Sequence, residues 1–180
     1  MKIKDIELEH KGHQLVLRNA RAEDAAILID FLRTTCSETR YLLRESEEIV
    51  FTIEQEQNFI RMMNDAENSI MLLAFLDGEF VGNCSLNGHQ PKRCRHKADL
   101  GIALYRKYTG MGIGTRMVSE LINVAKEMNI EQIELEVVTE NHGAIALYKK
   151  LGFEIYGTHP HDMKYKDGTY ADVYWMMRKV

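Results

Sequence analysis

The sequence predicts an α/β fold, one mixed sheet flanked by helices, on three observations. Two apolar strand-like runs, 70–76 and 79–87, meet at Asp77-Gly78, a strong hairpin turn. Further along, the strand pattern 98–105 runs into a glycine-rich turn and then an amphipathic helical pattern. Beyond that helix come a strand, a short helix and two last strands. Hairpins therefore come first and crossover helices later. A chain of 180 residues fits one domain, 1–180, and can bury a core without staples.

Residues 13–20 read as the first strand, carrying Leu15 and Leu17. Asp24 is expected to cap a helix whose apolar positions Ile27, Leu28, Phe31 and Leu32 recur at helical spacing. The polar stretch 38–46, with Tyr41, Leu42 and Leu43 embedded, reads as a loop or short helix and part of a substrate wall. Thr52 followed by Gln55 is a capping box, opening a helix whose face includes Phe59, Ile60 and Met63. After the hairpin, Pro91 and the basic residues Lys92, Arg93, Arg95 and Lys97 lead into strand 98–105. Helix 115–128 presents Met117, Val118, Leu121, Ile122 and Ala125 on one face. Strand 133–138 follows, then helix 143–151 ended by Gly152 at the C′ position. Strand 153–156 and the turn Lys166-Asp167-Gly168 lead to the last strand, 170–177.

With 45% hydrophobic and 28% charged residues the chain reads as soluble and globular, and a net charge of −4 argues against a generic nucleic-acid surface. Cys36, Cys84 and Cys94 are an odd number without paired spacing, so neither a disulfide framework nor a metal site is expected. Residues 1–10 lack a signal-peptide core and no apolar run reaches membrane-spanning length. The expected setting is a reducing cytoplasm, with no membrane partner.

The richest stretch is Tyr108-Thr109-Gly110-Met111-Gly112-Ile113-Gly114. Glycines let the backbone turn tightly and approach a ligand, and the first N–H groups of the following helix lack internal partners. A diphosphate is the natural guest. A dinucleotide-binding oxidoreductase would place such a turn after an early strand, with an acidic residue downstream for ribose. Here it falls past residue 100 and the next strand ends in Thr139-Glu140-Asn141, which disfavours that class.

Two linked motifs carry a family resemblance. "ADLGIALYRKYTGMGIG" resembles the fourth strand and coenzyme A pyrophosphate loop of the GNAT acyltransferase superfamily. "NHGAIALYKKLGF" is similar to the segment of that family that closes over the pantetheine arm. The resemblance covers about residues 15–177 and implies a mostly antiparallel central sheet flanked by helices, with transfer of acetyl from acetyl-CoA to an amine. It also implies that Ile102, Ala103 and Leu104 offer backbone groups to the pantetheine arm and the thioester. Thr109, Gly110, Met111, Gly112, Ile113, Gly114 and Thr115 would cradle the pyrophosphate. Thr109 departs from the family's Arg or Gln; hydroxyls of Thr109 and Thr115, or Arg116, are candidates for the missing donor. Asn141 falls near the cofactor arm, and Tyr148 matches the general acid toward the departing thiolate. A phenol suits that role because it stays protonated near neutral pH and donates a strong hydrogen bond.

Asp99 is the candidate general base, with Glu79, Glu136 or proton loss to ordered water as alternatives. His142, His159 and His161 fall in loops where they could contact substrate. The closing pattern "YKDGTYADVYWMM" resembles the subgroup acting on ribosomal-protein N-termini, and polyamine and small antibiotic or herbicide amine acetyltransferases have similar tails. Glu38, Glu45, Glu47 and Glu48 would suit a cationic acceptor, and Tyr41, Tyr165, Tyr170, Tyr174 and Trp175 would wall it. A non-catalytic acyl-CoA sensor is the competing reading, which the presence of Asn141 and Tyr148 disfavours. The last strand carries Val173, Trp175 and Met177 on one face and Tyr174 and Met176 on the other, which suggests a homodimer covering its second face.

Overall fold

Turn chemistry shapes the first half of the molecule. Lys11-Gly12 (φ 53° and 84°) and Asp77-Gly78 (φ 49° and 83°) are both left-handed pairs, whose twist matches that of hairpin strands. In the computed structural model, which describes all 180 residues, the first pair joins β1 (Ile6–His10) to β2 (His13–Asn19). The second joins β3 (Ser69–Leu76) to β4 (Glu79–Gly88). The strand β1 is not foreseen by the sequence reading, although Ile6 and Leu8 alternate with Glu7 and Glu9 across it. One eight-stranded sheet results, in the order β1-β2-β3-β4-β5-β6-β8-β7. Its later members are β5 (Lys97–Leu104), β6 (Gln132–Val138), β7 (Glu154–Lys164) and β8 (Tyr170–Lys179). Only the β5–β6 pair is parallel.

Side-chain alternation divides the sheet into two faces. Leu15, Leu17, Leu72 and Leu86 join Met117, Val118 and Leu121 of α3 (Ile113–Glu127) and Ile145 of α4 (His142–Lys150) in a core of 26 buried residues. On the other face Leu73 and Phe80 meet Phe31 of α1 (Ala25–Glu38) and Ile60 and Met63 of α2 (Ile53–Asp65) in a cluster of nine. Each fully buried Leu or Phe contributes roughly 1.5–3 kcal/mol of apolar burial, so the α3–α4 face carries most of that driving force. The faces α1 and α2 cover differ from those of β6, β8 and β7, where residues stay more exposed.

The capping box of α2 forms as expected: Gln55 N–H donates to the Thr52 hydroxyl (3.2 Å) and Thr52 N–H to Gln55 Oε1 (2.9 Å). Phe59, expected on the buried face, is 41% exposed. Asp24 does not cap α1 with its side chain. A short 3₁₀ turn, Ala22–Asp24, precedes the helix, and the carboxylate turns back to accept from Arg21 N–H (2.7 Å) and twice from Arg18 (2.7 and 2.8 Å). The helix α3 begins two residues before the expected Thr115, and β7 runs well past Tyr156. The strand β8 is interior. Met176 joins the main core, Ala171 and Val173 pack with Tyr41, Met163 and Tyr165, and Trp175 lies against Tyr156 and His159. Its second face is thus covered within the chain at Ala171 and Val173 and left half-exposed at Trp175 and Met177.

Candidate active site

Parallel pairing of β5 with β6 holds at three positions, Lys97–Gln132, Ala98–Ile133 and Asp99–Glu134, and then stops. On its other side β5 stays paired with β4 as far as Leu104–Gly82, while β6 stays paired with β8 as far as Val138–Val173. The sheet therefore splits between Leu100–Leu104 and Leu135–Val138. Backbone groups of Ile102 and Leu104 face β6 and lack a ladder partner, which suits an extended chain bearing amides. Those of Ala103, against expectation, turn to β4, because successive strand residues point their N–H and C=O to opposite sides.

At the open end of this split lies the glycine loop. Gly110 (φ 76°) and Gly112 (φ 89°) are left-handed and Met111 between them is not, an alternation that gathers successive N–H groups around a concavity. Gly112 is the N-cap of α3, so Ile113, Gly114 and Thr115 form its first turn and their N–H groups have no helical partner. A Cβ on Gly114 would lie 3.1 Å from Leu147 Cδ1 and 3.4 Å from Leu104 Cδ1; the missing side chain lets α3 settle close to β5 and α4. Two of the expected side-chain donors are engaged elsewhere. The Thr109 hydroxyl donates to the Arg106 carbonyl (2.7 Å), and the Arg116 guanidinium lies 3.5 Å from Glu120 one turn along. The basic loop before β5 lies at the opposite end of that strand, where Arg95 pairs with Glu67 (2.9 Å).

Asn141 caps α4, its Oδ1 accepting from Ala144 N–H (3.3 Å), which places Tyr148 on the helix side facing the main core. Tyr148 is 7% exposed, packs on Phe153 with ring centroids 5.8 Å apart, and its hydroxyl has no hydrogen-bond partner in the chain. Burial pushes its phenol up to about 12, so the O–H stays available to a neighbouring anion throughout the neutral range. Cys84 is also buried, and burial pushes its thiol well above the ordinary range, which rules against a nucleophilic role.

Asp99 belongs to the opposite face, because its neighbours Ala98 and Leu100 point into the main core. It sits at the last paired position before the split and lies 3.1 Å from His89 Nε2. Across the strand pair is Glu134, held by the Lys97 ammonium (2.8 Å). Burial works against the Glu134 charge, but Lys97 and the Gln132 amide hold its carboxyl below the usual carboxylate range. Donor atoms of His89, Asp99 and Glu134 lie within 4.8 Å of one another. Two residues along β6 on the same face, Glu136 accepts from Trp175 Nε1–H (3.0 Å), beside a stack of Trp175 on Tyr156 (6.1 Å).

The alternative base Glu79 is paired with Lys107 (2.6 Å) at the start of β4, away from Asp99 and Glu134. The glutamates expected at the acceptor mouth serve as staples instead. Glu38 accepts from Arg106 N–H (2.8 Å), Glu48 from Glu45 N–H (2.7 Å), and Glu45 and Glu47 hold Lys166. Residues 39–50 thereby dock on the β7–β8 hairpin, with Tyr41 O–H donating to the Glu140 carbonyl (3.4 Å) and Arg40 over the Tyr165 ring (3.7 Å). The histidines expected in loops lie in regular elements, because β7 runs on through Pro160. His159 and His161 belong to β7, the first pairing with Asp162 and the second stacking on Tyr170 (4.8 Å), and His142 opens α4. Sequence reasoning missed His89 and Glu134; strand alternation around Asp99 was the signal that could have found Glu134.

A split sheet, a glycine-loop helix end at its mouth, a buried phenol on one face and a carboxylate on the other define a group-transfer enzyme with a phosphate-bearing carrier. Residues 36–153 match the acetyltransferase (GNAT) family. Among relatives, the L-amino acid N-acetyltransferase AaaT of Escherichia coli is 36% identical over 110 residues, 59% of this chain and 66% of that protein. An N-alpha-acetyltransferase of Sulfurisphaera tokodaii is 30% identical over 153 residues, 80% of this chain and 83% of that one. The crystal structure of a GNAT-family acetyltransferase from Streptococcus pneumoniae superposes with a TM-score of 0.88 at 34% identity, covering 92% of this chain and 99% of that chain. The chain belongs to the GNAT acetyltransferase family and is an acetyl-CoA-dependent N-acetyltransferase acting on an amine. No helix is long and apolar enough to cross a membrane.

Proposed function

We propose that the acceptor is a primary α-amino group, of a protein N-terminus or a small molecule, and that Asp99 and Tyr148 serve it from opposite faces of the split sheet. The observation that carries this reading is the loss of β5–β6 pairing just past Asp99, which opens a passage between the two faces. On the acceptor face Asp99, Glu134 and Glu136 favour an ammonium ion, and Asp99, directly or through water, takes its proton. The backbone N–H groups of Ile102 and Leu104 steady the developing negative charge on the thioester oxygen. Tyr148, kept protonated by its burial, hydrogen-bonds the departing sulfur and gives it the proton. The loop Thr109–Thr115 holds the diphosphate, and Asn141 fixes the start of the helix that carries Tyr148. The names of the Escherichia coli and Sulfurisphaera tokodaii relatives support an α-amine as acceptor.

A homodimer in the cytoplasm belongs to the same reading. It is supported by the edge position of β7 and its exposed Ile155 and Tyr156, rather than by β8. Light scattering at tens of micromolar would defeat the dimer by returning the monomer mass, 20.8 kDa. The functional reading is tested by titrating acetyl-CoA calorimetrically and then screening free amino acids, peptides and polyamines with thiol release as readout. Turnover on α-amines is expected. Cofactor binding without turnover on any acceptor would favour the sensor instead.

A further inference from the structure

The hairpin tip between β1 and β2 reaches the glycine loop. His10 Nε2 lies 3.1 Å from the Met111 carbonyl oxygen, a contact that spans 101 residues of sequence and is made when that nitrogen carries the proton. A Cβ built on Gly112 would lie 3.5 Å from His10 Cε1 and 3.8 Å from the Lys11 ammonium. Lys11 is held there by backbone rather than by its own packing. It occupies a left-handed turn position, and the next residue, Gly12, donates its N–H to Glu9 Oε1 (2.6 Å). Lys11 makes no ion pair within the chain, unlike the neighbouring cations Lys107 on Glu79 and Arg116 on Glu120.

The loop itself is short of cationic donors. Thr109 brings no charge, and its hydroxyl is spent on the Arg106 carbonyl. Backbone N–H groups can cradle a diphosphate but carry no net charge, whereas the guest carries at least two negative charges. A cation delivered from a distant hairpin would offset them. We propose that Lys11 contacts the diphosphate of acetyl-CoA and supplies the positive charge that the glycine loop lacks. This inference rests on the functional reading above and assigns a cofactor-binding role to a hairpin outside the family-matched residues 36–153.

The test is titration calorimetry of acetyl-CoA, 3′-dephospho-CoA and S-acetylpantetheine into the wild type, Lys11→Gln and Lys11→Glu, with thermal midpoints confirming that all three fold. Lys11→Gln keeps the stem and removes the charge. It is expected to weaken both phosphate-bearing compounds by about tenfold, as for the loss of a hydrogen bond to a charged group, and Lys11→Glu to weaken them more. The gap should narrow as salt is added, and S-acetylpantetheine, which lacks phosphate, should not distinguish the proteins. Equal affinity of Lys11→Gln and wild type for acetyl-CoA would overturn the proposal. A loss seen with acetyl-CoA but not with 3′-dephospho-CoA would also overturn it, by moving the contact to the 3′-phosphate. An equal loss for S-acetylpantetheine would reduce Lys11 to a structural role. A wild type that binds none of the three would instead remove the functional reading itself, and this inference with it.

Discussion

The two faces of the sheet are built differently. Under α3 and α4 lies a continuous core of 26 buried residues that reaches from Leu15 on β2 to Met176 on β8 and includes Tyr148. On the other face α1 and α2 cover only a smaller cluster, and the surface over β5, β6 and β8 is left to Asp99, Glu134, Glu136 and Trp175. In the proposed function the first face, close-packed, grips the cofactor, and the second, held by ion pairs and loop staples such as Lys166 on Glu45 and Glu47, meets the acceptor. A close-packed face tolerates little change in shape, whereas a polar face can change its guest by changing a few side chains.

Substitutions on the two faces should therefore fail differently. The largest effect is expected from Gly112→Val: φ at 89° is strongly disfavoured for a branched side chain, whose methyl groups would also project into the loop's concavity. A folded Gly112→Val protein should show no calorimetric binding of acetyl-CoA, and wild-type affinity would refute the pyrophosphate-loop assignment. Next comes Tyr148→Phe, which should lower kcat by a factor of ~10²–10⁴ while leaving acetyl-CoA affinity nearly unchanged. An unaltered kcat would return Tyr148 to the core it packs in.

The local geometry of these first two candidate sites is legible because backbone demands leave marks in sequence. Glycines at 110, 112 and 114 and the spacing from Asn141 to Tyr148 can be read directly, and they reappear as left-handed turns, a close helix approach and a capped helix. The hairpin Asp77-Gly78 and the Thr52–Gln55 box were legible for the same reason. The acceptor face was not. His89 meets Asp99 only because β4 is followed by a loop that returns at that height, and Lys97 meets Glu134 only through a parallel register that no local pattern encodes. Glu45 and Glu47 were misread for a related reason: a run of glutamates does not reveal that Lys166, more than a hundred residues away, neutralises it. The strand β1 leaves a weak mark, since its five residues offer only Ile6 and Leu8 as apolar positions.

A smaller effect probes how the second face is held. Burial raises the Asp24 carboxyl, but Arg18 and the Arg21 N–H outweigh it and hold its pKa below the ordinary 3.8. A depressed folded-state pKa contributes stability that is present above the unfolded value and lost as pH falls through the folded one. Asp24→Asn should therefore be destabilising at neutral pH, by about 1–3 kcal/mol if Arg18 is left without its partner. The gap between wild type and variant in urea unfolding should narrow on acidification below the ordinary carboxylate range. A gap that is constant from pH 7 to pH 3 would contradict the ion pair.

The central claim is that the two faces act on one reaction through the split between β5 and β6. Its most direct test is a double-mutant cycle on single-turnover rates, comparing wild type, Asp99→Asn, Tyr148→Phe and the double variant at saturating acetyl-CoA and acceptor. Groups that move protons in the same transition state act as a unit, so the double variant should lose markedly less than the product of the two single losses. Losses that simply multiply would mean that Asp99 and Tyr148 act independently, and would contradict the claim.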